Sequence, residues 1–260
     1  MILRRLSEHV KAQNWFAVAL DFLIVVIGVF VGLQVNNWND ARLERRESAI
    51  FTERLRDDLR QEAWSYSFLV GYSGDIEANA ERVVGALTGE TELSDEALLI
   101  SAYRATQFSR RLHQRSTFEE LTATGKIGLI RDHRLRETAI RMFSTGIFDR
   151  MAAAGTGSKY REAFRMTIPN EVQRALRDNC GDRYVAPGDS EGATNSLDYQ
   201  CATGLSVEAI AEAAEAIRAY DGLVPMLRLR IAEIDTQVTD LQSSNRDIVD
   251  VLVAVTGEGH

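Results

Sequence analysis

The sequence predicts an all-α protein. A single N-terminal transmembrane helix is followed by an extended antiparallel helical bundle with long, coiled-coil-like first and last helices. Three observations carry this. One is the apolar stretch Phe16 to Val35, FAVALDFLIVVIGVFVGLQV, interrupted only by Asp21 and Gln34. The second is a heptad pattern that runs from Ile210 almost to the end of the chain. The third is the scarcity of breakers: three prolines in 260 residues, with long intervals between turn signals. The net charge is −8, and no basic patch stands out, which argues against nucleic acid as a partner.

The apolar stretch is bracketed by Trp15 and Trp38. At the helical rise they stand about 35 Å apart, matching a hydrocarbon core with its interfacial edges. They are the expected interfacial anchors of a membrane helix over 16–38. A cleaved signal peptide would end in small residues, whereas this run ends in QVNNWND. An interfacial helix would need a polar face, which this one lacks. A buried core helix is the remaining alternative, since only Phe22 to Leu33 is free of polar side chains. Gly28 and Gly32 form a G-x-x-x-G, which lets a second helix approach closely. Asp21 lies seven residues before Gly28, on about the same face. Its carboxylate must snorkel, take up a proton or pair. Two readings stand: a dimerisation face, or glycines of a kind common in such helices with Asp21 reaching the headgroups.

Residues 1–15 form a short basic tail with Arg4, Arg5 and Lys11, and Arg42, Arg45, Arg46 and Arg54 follow the span, so flanking charge does not set orientation. From Asn39 the spacing of Leu43, Ile50, Leu55, Leu59 and Tyr66 predicts a helix that continues to about residue 87, with a kink or break at Gly71 and Gly74. Trp64, Tyr66, Phe68 and Tyr72 within it read as core packing rather than a ligand cage. Gly89 closes this helix, and Ser94-Asp95-Glu96 opens the next, through about Arg111. Ser116 or Thr117 with Glu119 or Glu120 forms a capping box, and Gly125 suits a left-handed C-terminal cap. ATGKIG lacks the phosphate-loop spacing and reads as a joint burying Ile127, Leu129 and Ile130. Asp132 caps a helix over 134–155, and after a loose segment at 155–158 helix resumes to Arg177 with a restart near Pro169.

The stretch 179–204 is a polar loop holding the only two cysteines, Cys180 and Cys201, one near each end. It reads as disulfide-closed, worth about 3 kcal/mol by loop entropy; the alternative is two free thiols. A disulfide implies an oxidising compartment. This orients the chain: residues 1–15 cytoplasmic, residues 39–260 a periplasmic helical domain. Asp189, Glu191, Asn195 and Asp198 fit no EF-hand spacing and read as a solvated acidic loop, with cation binding at 182–198 left open. His113 and His133 lack the partners of a zinc site, so no metal and no cofactor are expected.

The heptad places Ile210, Ile217, Val224, Ile231, Val238, Asn245 and Leu252 at one seam position. Ala213, Tyr220, Leu227, Ile234, Leu241, Ile248 and Val255 occupy the other. Asn245 is the polar seam residue that fixes register. The pattern passes through Gly222 and Pro225, predicting one kinked helix. Its seam faces either the long first helix of the same chain or a second subunit.

Two blocks carry a family resemblance. Leu33-Gln34-Val35-Asn36-Asn37-Trp38-Asn39 closes an apolar run, V-V-I-G, that follows an acidic residue. Further on come Thr117-Phe118-Glu119-Glu120-Leu121, Thr124-Gly125-Lys126-Ile127 and Leu129-Ile130-Arg131-Asp132. Together they resemble a family of uncharacterised bacterial single-pass membrane proteins. The resemblance implies an N-terminal anchor and a helical domain, and no activity. With it the expected location is a bacterial inner membrane, N-terminus in the cytoplasm.

Two functional classes follow. One is a membrane-anchored helical interaction or scaffold module, self-associating as a dimer or docking an unidentified membrane or periplasmic protein. The other is a periplasmic solute-sensing or ligand-binding bundle, which would act through a partner, since fifteen cytoplasmic residues hold no output domain. No nucleophile with a base, metal signature or nucleotide loop points to an enzyme. Asp57-Asp58 and Glu119-Glu120 are adjacent pairs on different helix faces, better read as surface or caps.

Overall fold

The computed structural model describes residues 15–110, 114–244, 246 and 250. Among the described residues every regular element is helical, so the all-α expectation holds. The basic tail, His113 and the seam positions Asn245, Ile248, Leu252 and Val255 lie outside the described residues. The chain divides into two compact units, Met1–Thr52 and Glu53–His260.

Helix α1 (Trp15–Thr88) contains the apolar stretch. Among the described residues it is the one helix long and apolar enough to cross a membrane. Phe22, Ile24, Val25, Phe30, Leu33 and Val35 are all exposed there, on every side of the helix. A water-soluble protein rarely leaves so much contiguous apolar surface uncovered. Trp38 is exposed, with the Arg42 guanidinium 5.8 Å from its ring centroid. Gly71 and Gly74 do not break α1, contrary to one expectation; both lie in the helix with open space where a Cβ would stand. The helix closes at Gly89, whose φ of 81° is the left-handed geometry that glycine adopts without Cβ strain.

Helix α2 (Asp95–Ala105) is capped by Ser94, whose hydroxyl accepts from the Ala97 N–H at 3.2 Å. It stops at Ala105 rather than Arg111, where the Thr106 hydroxyl and the Gln107 amide both donate back to the Tyr103 carbonyl. Helix α3 (Ser116–Ala123) opens without the expected capping box. Two α1 carboxylates serve instead: Asp58 accepts from the Thr117 N–H at 3.0 Å and Glu62 from the Gln114 N–H at 2.8 Å. Gly125, at φ 69°, is the expected left-handed cap, and the Lys126 N–H returns to the Leu121 carbonyl. Of the joint that follows, Ile130 is fully buried, whereas Ile127 and Leu129 are half-buried.

Asp132 caps α4 (His133–Ser144) through the Leu135 N–H at 3.1 Å. The helix expected over 134–155 is two helices, because Gly146 turns left-handed at φ 57° before α5 (Ile147–Thr156). Helices α6 (Lys159–Thr167) and α7 (Asn170–Cys180) flank the restart at Pro169. The following loop contains the short α8 (Ser190–Thr194). Helices α9 (Val207–Arg218) and α10 (Leu223–Thr239), then a π-helical turn Asp240–Ser244, complete the continuously described stretch.

The single kinked C-terminal helix is therefore corrected to two helices. The chain leaves helical geometry over 219–222, and Pro225 falls in the first turn of α10, where its missing N–H removes no helical bond. Among the described residues, several seam positions pack within the chain. Ala213, Ile217 and Leu227 enter a core with Ala80 and Val83 of α1, Leu98 and Leu99 of α2, and Tyr160 and Phe164 of α6. Ile234 and Val238 pack with Phe68, Tyr72 and Ile76 of α1 and with Val185 and Leu197 of the polar loop. The described seam positions that are buried pack on the first helix and its neighbours. Ile210, Val224, Ile231 and Val238 are only half-buried.

Candidate functional site

Cys180 ends α7 and is bonded to Cys201, with Cα atoms 5.5 Å apart, as the loop composition predicted. The loop they close is organised on a buried arginine. Arg104 of α2 is 4% exposed; its Nη2 donates to the Tyr199 carbonyl at 2.6 Å and lies 3.5 Å from Cys201 Sγ. Its Nη1 donates to Asp198 at 3.3 Å, and Nε reaches the Cys180 carbonyl at 3.5 Å. Arg82 of α1 grips the same Asp198 with both terminal nitrogens, and this holds the Asp198 carboxyl below its ordinary range against the opposing effect of burial. The Tyr199 ring lies under the Arg104 and Arg183 guanidiniums, at 4.8 and 3.5 Å from its centroid. Glu96 of α2 accepts from both the N–H and the hydroxyl of Thr203, holding the far end of the loop.

So pinned, the loop forms one wall of a cavity of about 390 Å³. A second wall is one face of α1, with Gln61, Ser65, Phe68 and Tyr72 at helical spacing. The third is the connector between α2 and α3, which contributes Phe108, Ser109, Arg110 and Gln114. The loop supplies Asp182, Arg183, Tyr184, Val185 and Pro187. Trp64, Phe68 and Tyr72 stack in a ladder with centroids 5.5 Å apart at each step. The aromatic cluster is thus core packing on one side and cavity wall on the other.

Tyr72 is 3% exposed, and its hydroxyl donates to Asp182 at 2.8 Å. Burial, then the Asp182 charge, push the Tyr72 hydroxyl well above its ordinary value. Asp182 opens to cavity solvent yet is crowded by protein, and desolvation raises its carboxyl; the Tyr72 hydrogen bond and the Arg161 and Arg104 charges pull it back. A cleft of this size, apolar and aromatic on one side with a few convergent polar groups, has the make-up of a small-molecule site. Phe108 is held tightly, since a Cβ on Gly155 of α5 would collide with its Cβ.

The other predicted residues do not converge on this cavity. Asp21, Gly28 and Gly32 lie on α1 in the first unit, where a Cβ at either glycine would meet nothing within 4 Å. His133 is exposed, with Nδ1 3.4 Å from Glu137. Asp189 caps α8 through the Gly192 N–H, and Asp198 is engaged by two arginines. Of the carboxylate pairs, Asp57 and Glu120 hold exposed arginines, whereas Asp58 is the buried cap of α3. Asp182, Phe108 and Arg104 escaped the sequence reading. Arg104 carried a signal, since it follows Leu98, Ala102 and Ser101 on the apolar face of a short helix. The Tyr72–Asp182 pair, 110 residues apart, carried none.

Residues 21–71 match a family of unknown function, DUF6090. The match covers 51 of the 260 residues and includes the LQVNNWN block, while the block at 117–132 lies outside it. It includes Gln61, Ser65 and Phe68 of the cavity wall and stops before Tyr72. No curated protein matches the chain. No solved structure matches it either.

Proposed function

We propose that this chain is a membrane-tethered, ligand-binding helical domain, and that the cavity between α1, the α2–α3 connector and the disulfide loop receives a small molecule. The observation that carries the reading is the cavity itself. Its aromatic wall belongs to the helix that carries the apolar span, and its loop wall is pinned by a disulfide and a buried arginine. The disulfide favours the oxidising side of the membrane for residues 53–260, and so an N-terminus in the cytoplasm. The cavity's best-placed polar pair, Tyr72 and Asp182, is engaged in its own hydrogen bond, which suits recognition better than catalysis. Ser65 lines the cavity from α1, so Ser65→Trp places an indole in it while leaving the loop's own sequence unchanged. Full-length protein extracted from native membranes should release a small molecule on denaturation, detected by mass spectrometry, and the Ser65→Trp protein should not. Identical extracts from the two proteins, each free of any small molecule, would refute the reading.

A second reading, a self-associating interaction module, is favoured by the uncovered Gly28/Gly32 face. The described seam positions Ala213, Ile217, Leu227 and Ile234 lend it no support, since they pack within the chain.

A further inference from the structure

Among the described residues three charged side chains line the cavity: Asp182 and Arg183 from the disulfide loop, and Arg110 from the α2–α3 connector. No ion pair among the described residues joins any of them to an opposite charge, although loop and connector bring both signs to one space. Asp182 Oδ1 accepts from the Tyr72 hydroxyl, and Oδ2 has no hydrogen-bond partner among the described residues. Arg183 stacks on the Tyr199 ring, a contact that uses the face of its guanidinium and none of its N–H groups. Tyr184, 90% exposed, adds an uncovered ring to the same wall.

The charges behind the walls have partners of their own. Arg161 and Arg230 donate to the Thr106 and Gln107 carbonyls at 2.8 and 2.9 Å, and Arg104 is bound to Asp198 and the Tyr199 carbonyl. Burial raises the Asp182 carboxyl, and the Tyr72 bond with the Arg161 and Arg104 charges offsets only part of that. Water in the cavity hydrates Oδ2 and the guanidiniums singly but leaves this imbalance, whereas an ammonium on Oδ2 removes it. A cavity of about 390 Å³ is about one Debye length across, so an occupant feels all three lining charges. A simple anion would meet the Asp182 carboxylate there, and a simple cation would meet two guanidiniums. A solute carrying both signs matches the whole set.

We propose that the cavity binds a free amino acid with an aromatic side chain, its ammonium on Asp182, its carboxylate toward Arg110 and Arg183, and its ring against Phe68 and Tyr72. The inference rests on the ligand-binding reading above and narrows its ligand to zwitterions. The stacked Phe68 and Tyr72 rings, 5.5 Å apart, supply the apolar wall that an aromatic side chain fits.

The probes are L-phenylalanine, phenethylamine and 3-phenylpropanoate, which share one skeleton and carry both charges, the ammonium alone and the carboxylate alone. They are titrated by calorimetry at pH 7 and constant ionic strength against full-length protein in detergent. L-Phenylalanine should bind about tenfold or more tighter than either of the others, the margin of a charge-assisted hydrogen bond. Asp182→Asn should weaken phenethylamine and leave 3-phenylpropanoate as tight or tighter, opposite directions that a misfolded variant cannot give. The Arg110→Gln/Arg183→Gln protein should bring L-phenylalanine to the level of phenethylamine. If 3-phenylpropanoate binds the wild type as tightly as L-phenylalanine, the ligand is an acid and the zwitterion is overturned; equally tight phenethylamine overturns it in favour of an amine. No binding of any probe overturns the amino-acid class. The ligand-binding reading survives that result if native protein still releases another small molecule, and falls with it if nothing is released.

Discussion

Opening the Cys180–Cys201 bridge tests the folded core and the compartment together. The bridged positions are 21 residues apart, for which loop closure in the unfolded chain is worth about 3 kcal/mol. Cys180 is fully buried, so the Cys180→Ala change adds a small packing loss of about 1 kcal/mol at most. The loop's other ties are independent of the sulfurs: Arg104 to the Tyr199 carbonyl, the Tyr199 hydroxyl to the Gly181 carbonyl, and the Asn179 amide to the Thr203 carbonyl. They exist only in the folded state, so they preserve the native loop without restoring the lost constraint on the unfolded one. The Cys180→Ala/Cys201→Ala protein should therefore keep its far-ultraviolet spectrum and melt about 6–12 °C lower, the shift that 3 kcal/mol produces in a unit of about 200 residues. Full-length protein in detergent, melted with and without reductant, provides the comparison, and reductant should move only the wild type. A double variant melting within about 2 °C of the oxidised wild type would refute the loop-entropy argument. Two alkylatable thiols in protein from intact, unreduced cells would remove the compartment assignment.

Two further perturbations bear on the span and the cavity. Gly32→Ile places a branched side chain on the open G-x-x-x-G face, so a dimer crosslinked within the membrane should weaken; an unchanged dimer would exclude that face. Asp182 has its folded-state carboxyl raised above the ordinary 3.8 by desolvation, so its ionised form costs stability at neutral pH, and the cost disappears as pH falls through the raised value towards 3.8. Asp182→Asn keeps an acceptor for the Tyr72 hydroxyl and removes the charge. The variant should be at least as stable as wild type at pH 7, with the gap closing towards pH 4 by urea midpoint; a wild type that is the more stable at pH 7 would sink the assignment.

Much of the local structure was legible because its causes are local. The apolar run of α1, the caps at Ser94 and Asp132 and the left-handed glycines at 89 and 125 depend on residues within a few positions of each other. Boundaries were misread where a short-range competitor or a distant group intervened. Thr106 and Gln107 ended α2 early by bonding back to Tyr103, and Gly146 turned left-handed to part α4 from α5. At α3 the cap came from Asp58, 59 residues away, where the sequence offered a plausible box of its own. The heptad identified a buried stripe correctly, but its register passed through Gly222 as though the helix were continuous. Arg230 sat at the rim of that stripe, where a two-stranded coil would leave it in solvent and a globular bundle buries it.

The sequence by itself determined the all-α class, the candidate membrane span and the pairing of its only two cysteines, because hydropathy over twenty residues, helical period and a count of two leave little choice. The site was decided by the tertiary structure alone. Tyr72, Phe108 and Asp182 come from a long helix, a connector and a disulfide loop, and none is unusual in its own neighbourhood. Their meeting depends on how the connector and the loop dock on α1. That docking is set by side-chain burial summed over the whole core, a quantity that no local stretch of sequence contains.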